Sequence, residues 1–423
     1  MTVHLAQIDR EIRRAEEGIP QNEFHLGDAA NVAGRLRESY EGKVNLVYLD
    51  PPFLTGKTFE ARVRVGAKEW KSGRGSLTLS AYHDSLTREA YLEKMRAVLV
   101  NARALMASDA LIFVHIDWRM HPYLRLLMDE IFGESNFRNE IIWAYQSGGS
   151  ARRYFPRKHD VILMYSKTKD YDFHIQDVAE VVPGGRENHM KRHVDADGRV
   201  YRSIRSGGRV YTYYDDDPVV PGDVWTDVNH LQQKDPQRTG YDTQKPVRLL
   251  ERIIKCSTQE GDLVCDLFAG SGTTAVAAAN LNRRFLCVDQ SPLAVAVAGK
   301  RLSQSTLSRP AGVCYDVEAP CGEDDCFVEA EVFPAITSYT VHLMSFDSVQ
   351  AREAGIKGLD AVDHWSAGFV QGDMYRACVA SVRTATTPQL QTTMEMPVCA
   401  GEPCIMIVDI WGSRRFYLPK RRY

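Results

Sequence analysis

Short apolar runs alternate with segments whose apolar residues recur at helical spacing over most of the first three hundred residues. Such runs predict buried strands, and the helical spacing predicts amphipathic helices between them. Strands are predicted at residues 24–27, 44–49, 110–116, 140–143, 160–165, 263–266 and 284–289, and helices at residues 3–17, 29–40, 91–106, 124–132, 247–255 and 274–280. This alternation predicts an α/β fold with a doubly wound, mostly parallel sheet.

The regular alternation is interrupted in two places. From about residue 167 to residue 242 it gives way to a glycine- and arginine-rich insertion. After a polar segment at residues 303–310, β-type runs recur without helices, which predicts a separate β-rich domain whose role the sequence leaves open. The predicted division is therefore a first domain over residues 1–310 and a second over residues 311–423. The first domain consists of one half at residues 20–166, the insertion at about residues 167–242 and another half at residues 243–305.

A glycine turn follows one of the predicted strands directly. Residues 263–274 run from an apolar strand through Gly270 and Gly272 into an alanine-rich helix, the opening of a nucleotide-binding βαβ unit. Asp289 ends the next strand nineteen positions after Gly270, near the interval at which an acid binds ribose hydroxyls. No third glycine follows, and Asp266 at the strand tip would repel a pyrophosphate. An acid there suits the positive groups of S-adenosylmethionine better than a dinucleotide.

The sequence Asp50-Pro51-Pro52-Phe53 follows the predicted strand at residues 44–49. Two consecutive prolines fix a rigid turn beyond the carboxyl end of the strand, where open α/β sheets place their ligands. One interpretation is simply a loop that ends the strand. The other is chemical: the Asp50 carboxylate and the Pro51 carbonyl would bind both hydrogens of an exocyclic amino group on a base, and Phe53 would stack on that extruded base.

These motifs together resemble the amino-directed DNA methyltransferases. In that family the Asp-Pro-Pro-Phe motif holds the target base, and the motif at residues 268–272 binds S-adenosylmethionine. Their order here resembles the permuted β group, which includes the modification subunits of type III restriction systems. Thr243-Gln244-Lys245-Pro246 is similar to the segment that this group places before the cofactor motif, and Asp28 resembles its early acid. The resemblance covers about residues 20–305 and implies the S-adenosylmethionine-dependent methyltransferase fold.

The candidate site residues follow from the motifs and from this resemblance. The catalytic candidates are Asp50, Pro51, Pro52 and Phe53. The cofactor-binding candidates are Asp28, Thr243, Lys245, Asp266, Phe268, Ala269, Gly270, Ser271, Gly272, Thr273 and Asp289. His115 and Asp117 could be mistaken for a catalytic pair, but a structural role at a strand end is favoured because the chemistry needs no general base of that kind.

The insertion contains basic residues interleaved with tyrosines and paired glycines. A solvated surface is the usual interpretation of such a run. Here the run lies where the permuted group has its target-recognition region, so DNA contact is favoured, with contacts to phosphates or guanine edges. The DNA-binding candidates are Arg186, Lys191, Arg192, Arg199, Arg202, Arg205 and Arg209.

Composition limits the remaining possibilities. The net charge of −3 argues against a generally basic nucleic-acid coat, so DNA contact must come from local patches. We expect a cytoplasmic protein, because no signal-like or membrane-spanning apolar segment is found and cysteines fall in predicted core strands. The cysteines at 314, 321 and 326 lack a Cys-x-x-Cys pair and a nearby histidine, so no metal site is predicted.

The sequence thus predicts a DNA methyltransferase that uses S-adenosylmethionine, with N6 of adenine as the preferred target. N4 of cytosine is the alternative within the class. A catalytically silent DNA-binding or assembly subunit is the alternative from another class, and an intact Asp50 and glycine turn argue against it. The predicted partner is double-stranded DNA. A homodimer and a restriction subunit are further partners to consider, and no membrane association is expected.

Overall fold

A computed structural model describes residues 22–72, 76–84, 86–145, 151–182, 190–232, 234–304, 313–316, 326–371 and 374–418. The helix predicted at residues 3–17 lies outside these ranges, as do Arg186 and the cysteine at position 321. The helices are α1 Ala29–Tyr40, α2 Gly66–Ser72, α3 Arg88–Leu105, α4 His121–Phe132, α5 Val247–Ser257, α6 Thr273–Asn280, α7 Pro292–Gln304 and α8 Val349–Glu353.

The strands belong to one large sheet and three small ones. They are β1 Asn22–Leu26, β2 Val44–Leu49, β3 Thr58–Val63, β4 Leu77–His83, β5 Met106–Ile116, β6 Phe137–Ala144, β7 His159–Ser166, β8 Arg192–Val194, β9 Val200–Ser206, β10 Arg209–Tyr214, β11 Val224–Trp225, β12 Leu263–Asp266, β13 Arg284–Asp289, β14 Val313–Asp316, β15 Cys326–Pro334, β16 Ser338–Ser348, β17 Val362–Gln371, β18 Met374–Val382, β19 Thr393–Pro397, β20 Glu402–Asp409 and β21 Arg414–Tyr417.

The large sheet has the strand order β11-β6-β7-β5-β2-β12-β13-β1-β14-β18-β17-β20-β21. Its six central strands, β5 to β14 in this order, are all parallel. β7 is antiparallel to β5 and β6, and the strands beyond β14 are antiparallel to their neighbours. Buried residues of α1 and α3 pack on one face, and those of α5 and α6 on the other. The predicted doubly wound α/β fold is confirmed, with a parallel centre and antiparallel flanks.

The direction of winding reverses between β2 and β12. From β12 the chain passes through α6 to β13 on one side, and from β2 it passes through α3 to β5 on the other side. In a parallel sheet this reversal opens a crevice beyond the carboxyl ends of the two strands, because the following connections leave in opposite directions. Asp50 and Asp266 stand at the rim of that crevice.

Three small sheets surround the large one. β3 and β4 form a hairpin directly after the catalytic candidates, an element that the sequence did not predict. β8, β9 and β10 form an antiparallel sheet within the insertion. β15, β16 and β19 form a third sheet in the C-terminal region.

The C-terminal region is rich in strands, as predicted, and five of them, β14, β17, β18, β20 and β21, extend the large sheet. β14 joins β1 on one side and β18 on the other, so hydrogen bonding is continuous across the predicted domain boundary. Tyr375 and Met406 also belong to the same buried core as Phe24. Whether residues 311–423 form a separate domain stays a prediction.

Candidate active site

The carboxylate of Asp50 lies at the end of β2, beside the end of β12. Its Oδ2 accepts a hydrogen bond from Lys245 Nζ at 2.5 Å. Its Oδ1 is buried and has no hydrogen-bond partner among the described residues. A buried acceptor without a partner is unfavourable by about 1–3 kcal/mol, so this oxygen points to a donor supplied by a ligand.

The residues after Asp50 form a constrained loop. The Lys245 ammonium lies 5.3 Å from the centre of the Phe53 ring, so Lys245 contacts both ends of the motif. Leu54 has a φ of 53°, a conformation that a non-glycine residue adopts only when its surroundings hold it there. Thr55 supplies such a restraint, since its backbone N–H donates to Asp84 Oδ2 at 2.7 Å.

A buried polar network supports the loop from below. His115 is fully buried, with Nδ1 2.8 Å from Tyr48 Oη and Nε2 3.2 Å from Asp160 Oδ2. Tyr145 donates to the other oxygen of Asp160 at 3.2 Å. Burial alone would raise the pKa of Asp160, but the hydrogen bond and charge of His115 hold it below its ordinary value. The Phe53 ring packs against His115 at 6.0 Å between centroids, so the network fixes the position of the loop that carries the catalytic candidates Asp50 to Phe53.

The glycine turn is organised by the carboxylate of Asp266. One oxygen accepts the Phe268 backbone N–H at 2.9 Å and the other accepts the Thr274 hydroxyl at 2.5 Å. These bonds tie the end of β12 to both sides of the turn. Burial, together with the neighbouring acids, raises the pKa of Asp266 to about 7.

Asp289, at the end of β13, closes the other side of the turn. Its Oδ2 accepts the Gly270 N–H at 2.8 Å, and its Oδ1 accepts the Ser291 N–H at 2.8 Å. Burial raises the pKa of Asp289 to about 6, although these backbone donors favour its charged form. Gly270 has a φ of 51°, so the turn depends on glycine there.

Gly272 allows a close approach between the turn and α7. Its φ is 74°, and a Cβ at this position would lie 2.6 Å from the Cβ of Ala298 on α7. Arg301, one turn further along α7, donates to the Ser271 carbonyl at 2.7 Å and to the Thr273 hydroxyl at 3.0 Å. Tight helix packing therefore holds the turn from behind.

These elements enclose a single pocket that extends from Asp50 to Asp289. It is lined by Tyr48, Asp50, Pro52, Lys94, Tyr241, Thr243, Lys245, Asp266, Phe268, Ala269, Gly270, Ser271, Thr273 and Asp289, among others. Asp28 caps α1 and forms an ion pair with Lys94 at 2.8 Å, which connects this acid to the pocket wall. The structure thus gathers the catalytic and cofactor candidates around one crevice, while the role of each residue stays a prediction.

Sequence reasoning missed several residues of this site. Asp160 and Tyr48 gave no motif signal, because their partner His115 is distant in the chain. Lys94 lies on α3, where most other charged residues are exposed, so the sequence did not distinguish it from them. Tyr241 is buried against the turn, 3.7 Å from where a Gly270 Cβ would be, and its proximity to the motif Thr243–Lys245 was the one available signal.

The predicted DNA-binding residues lie on and beside the sheet of β8, β9 and β10. Three of them are paired with acids of the same insertion: Arg192 and Arg202 with Asp215, and Arg199 with Asp216. Lys191, Arg205 and Arg209 are exposed and form no ion pair within the described residues, so they are the charges available to DNA. Arg186 lies outside the described residues, and DNA contact by the whole group stays a prediction.

The described residues also lack two features. No helix among them is long and apolar enough to cross a membrane. No group of three or more histidine, cysteine or acidic side chains within the described ranges is placed to hold a metal ion.

Comparison with known proteins identifies the family. A profile of DNA methylases, named for N6 and N4 methyltransferases, matches residues 44–300. The type II methyltransferase M.EcaI from Enterobacter cloacae is 30% identical over 329 residues, which is 67% of this chain and 69% of that protein.

Two further relatives match a similar share of this chain but different shares of their own length. The Mod subunit of the type III restriction-modification enzyme StyLTI from Salmonella typhimurium is 25% identical, with 70% of this chain matched and 55% of that subunit. The DNA adenine methyltransferase YhdJ from Escherichia coli is 24% identical, with 62% of this chain and 76% of that protein matched. The chain therefore spans little more than half the length of the Mod subunit.

Proposed function

Because this chain belongs to the DNA methylase family, it is an S-adenosylmethionine-dependent DNA methyltransferase, and we propose that it methylates N6 of adenine in double-stranded DNA. The observation that carries the proposal is the buried, unpartnered Oδ1 of Asp50, one strand away from the glycine turn. An acceptor in that position suits an amino hydrogen of a base that has been extruded from the duplex.

The base is held by the loop after β2. Asp50 Oδ1 and the Pro51 carbonyl accept the two amino hydrogens, which favours a pyramidal nitrogen with an available lone pair. Phe53 offers a ring face to the base, and Pro52 keeps the loop rigid. Lys245 fixes the second oxygen of Asp50, so Oδ1 stays directed into the pocket.

The cofactor is held by the turn between β12 and α6. When bound, S-adenosylmethionine supplies an electrophilic methyl group on its sulfonium. Asp266 offers negative charge to its ammonium group, and Asp289 offers a carboxylate to the ribose hydroxyls. The remaining contacts are assigned from the pocket wall and the family resemblance: Asp28, Thr243, Lys245, Phe268, Ala269, Gly270, Ser271, Gly272 and Thr273.

Adenine is preferred over cytosine on two grounds. The motif begins with Asp, as in most adenine-modifying members that it resembles, and one relative is named as a DNA adenine methyltransferase. The chemistry of Asp50 and Pro51 alone would serve N4 of cytosine equally well. A catalytically silent subunit is disfavoured, because such a protein would have no use for an unpartnered buried carboxylate oxygen.

Nucleoside analysis tests both the reaction and the target. Unmethylated plasmid DNA is incubated with enzyme and cofactor, digested to nucleosides and separated by mass spectrometry. We expect N6-methyladenine from the parent and none from Asp50→Ala, with cofactor affinity by calorimetry unchanged within a few-fold. Methylated cytosine alone would favour the alternative target. Equal losses of cofactor affinity and activity in a folded Asp50→Ala protein would contradict the role of Asp50.

The biological setting is also a proposal. Two of the named relatives are a type II methyltransferase and the Mod subunit of a type III restriction-modification enzyme, so we place this enzyme in a restriction-modification system, with a restriction subunit as a candidate partner. Homodimer formation would suit a two-strand recognition site. The basic insertion would contact DNA, and a DNA-modifying enzyme of this kind would act in the cytoplasm.

A further inference from the structure

A surface of arginines and exposed aromatic rings lies beside the catalytic loop, outside the insertion that was predicted to bind DNA. We call it the arginine–aromatic surface, and it consists of Arg88, Trp118, Arg119, Tyr123, Tyr154 and Arg157. Trp118 is 43% exposed and Tyr154 is 61% exposed, while the adjacent Phe155 is 93% exposed. Clustered exposed aromatic residues mark a contact site, because they are unfavourable in water.

The rings and guanidinium groups of this surface are ordered relative to each other. The Arg157 guanidinium lies 3.8 Å from the centre of the Trp118 ring and 4.9 Å from that of Tyr154. Arg119 lies 5.0 Å from the same Trp118 ring. Arg88 lies 4.8 Å from the Tyr123 ring and donates to its hydroxyl at 2.9 Å.

The sheet topology brings this surface to the catalytic edge. Trp118 and Arg119 follow the end of β5, which pairs in parallel with β2 and so ends beside Asp50. Ala144 at the end of β6 pairs with His159 at the start of β7, so their connection, which carries Tyr154 and Arg157, emerges at this edge too. Leu54 of the catalytic loop lines one groove together with Arg88, Trp118, Arg119 and Tyr123.

The charges on this surface suit an anionic ligand. Its acids are already engaged, since Asp84 accepts from Thr55, Asp117 is paired with Arg119, and Glu89 is paired with Arg88 at 3.3 Å. Arg157 forms no ion pair within the described residues. Arg152 and Arg153, exposed in the same connection, also have no ion-pair partner among the residues that the structure describes. Among the described residues, positive charge is therefore left over at Arg152, Arg153 and Arg157, whereas Arg88 and Arg119 are each paired with an acid.

We propose that the arginine–aromatic surface binds the DNA strand next to the extruded base. Arg157 and Arg88 contact phosphates, and Trp118 with Tyr154 packs against sugars or unpaired bases, which favours the open duplex. The proposal rests on the proposed DNA substrate. It adds a contact surface close to the reacting atoms that is independent of sequence recognition by the insertion.

The test compares variants of this surface with matched controls. Arg157→Ala, Trp118→Ala and the double variant are measured beside Arg37→Ala and Phe327→Ala, an exposed arginine near the end of α1 and a 59% exposed aromatic on β15. Binding to a short fluorescein-labelled duplex of random sequence is followed by anisotropy at several salt concentrations. Cofactor affinity and thermal unfolding are recorded for each variant.

We expect the double variant to bind the duplex at least several-fold more weakly, with Arg157→Ala lowering the salt slope by about one. The control variants Arg37→Ala and Phe327→Ala should bind the duplex with the same affinity and the same salt slope as the parent. Affinity and slope equal to the parent in the double variant would overturn the proposal, even if the parent methylates DNA. If either alanine variant unfolds, Arg157→Gln and Trp118→Leu, which remove the charge and the aromatic ring with less loss of volume, decide by the same criteria. A parent that binds duplex but methylates no DNA would instead contradict the proposed function.

Discussion

Three carboxylates meet in the pocket, and the protein holds each differently. Asp50 keeps one oxygen free of protein donors, whereas both oxygens of Asp266 and both of Asp289 already accept hydrogen bonds from the turn. Burial raises the pKa of Asp266 to about 7 and that of Asp289 to about 6. The cofactor side of the crevice is therefore partly protonated near neutral pH, and a cationic ligand would displace those protons.

The first prediction is that cofactor binding releases protons. A positive ammonium beside Asp266 favours the ionised carboxylate, so the affinity should rise as the pH increases from about 5 to about 7 and then level off. Calorimetry at several pH values, in buffers of different ionisation enthalpy, measures the release directly. Asp266→Asn should bind more weakly and lose most of the pH dependence. A parent affinity that is constant across this range would contradict the assignment.

The same carboxyls affect folding without cofactor. Their pKa values are raised above the value of about 3.8 for an unperturbed aspartate, so the folded protein binds these protons more tightly than the unfolded chain. Their contribution to stability is present below about pH 4 and is lost as the pH rises through about 6 to 7. S-adenosylmethionine should offset that loss, since it stabilises the ionised form of Asp266.

At the scale of elements, the sequence predicted the strands that carry the chemistry. β2 is a mostly apolar strand directly followed by Asp50, and β13 is a mostly apolar strand that ends in Asp289; both were predicted at the residues where they occur. The hairpin of β3 and β4 was not, because its burial depends on a distant segment: Ala61 pairs with Tyr241. The ion pair between Asp50 and Lys245 spans 195 positions of the chain, so the pattern placed both residues in the site but not in contact.

Our second prediction concerns the packing of α6 on α7. An alanine at position 272 would be strained by the positive φ of 74° and would also meet Ala298 at 2.6 Å. Gly198 has a similar φ of 83° with nothing within 4 Å, so Gly198→Ala carries the backbone strain alone. We expect both to lower the free energy of unfolding by roughly 1–2 kcal/mol through strain, and Gly272→Ala by about 1–3 kcal/mol more through overpacking.

Urea titration of the two glycine variants measures the difference, and calorimetry measures the consequence for cofactor binding. Gly272→Ala should also weaken the binding of the cofactor. A displacement of α7 would move Arg301, whose guanidinium holds Ser271 and Thr273 in the turn. If Gly272→Ala and Gly198→Ala lower the free energy of unfolding equally, α7 can move to accommodate the added methyl group without further loss of stability, and the prediction is wrong.

At the scale of the whole molecule, the two appended regions differ in how they attach. The C-terminal region adds strands to the large sheet through β14, and Asp363 in β17 pairs with Lys300 of α7 at 2.6 Å. The insertion is divided: β11 joins the large sheet beside β6, and Trp225 and Val228 belong to its core. The strands β8, β9 and β10 instead form their own small sheet, and none of their residues belongs to a described hydrophobic core. The C-terminal strands are therefore part of the main fold, whereas the sheet of β8, β9 and β10 is attached to it.

The third prediction compares the loss of each region. A protein truncated after residue 310 exposes the core surface that Tyr375 and Met406 cover, and it removes the β14 neighbour of β1. It should unfold at lower temperature with a broad transition and should bind S-adenosylmethionine more weakly, because β1 supports β13, which carries Asp289.

Deleting residues 183–217 is the matched control. Glu180 and Val219 are already bridged by two backbone hydrogen bonds of 3.1 and 2.9 Å, so a short linker can rejoin the chain without strain. This variant should keep the parent's thermal transition and cofactor affinity while losing site-specific methylation, since the removed strands carry Arg205 and Arg209. If instead residues 1–310 fold cooperatively and bind the cofactor as the parent does, the C-terminal region is an independent domain despite its shared sheet.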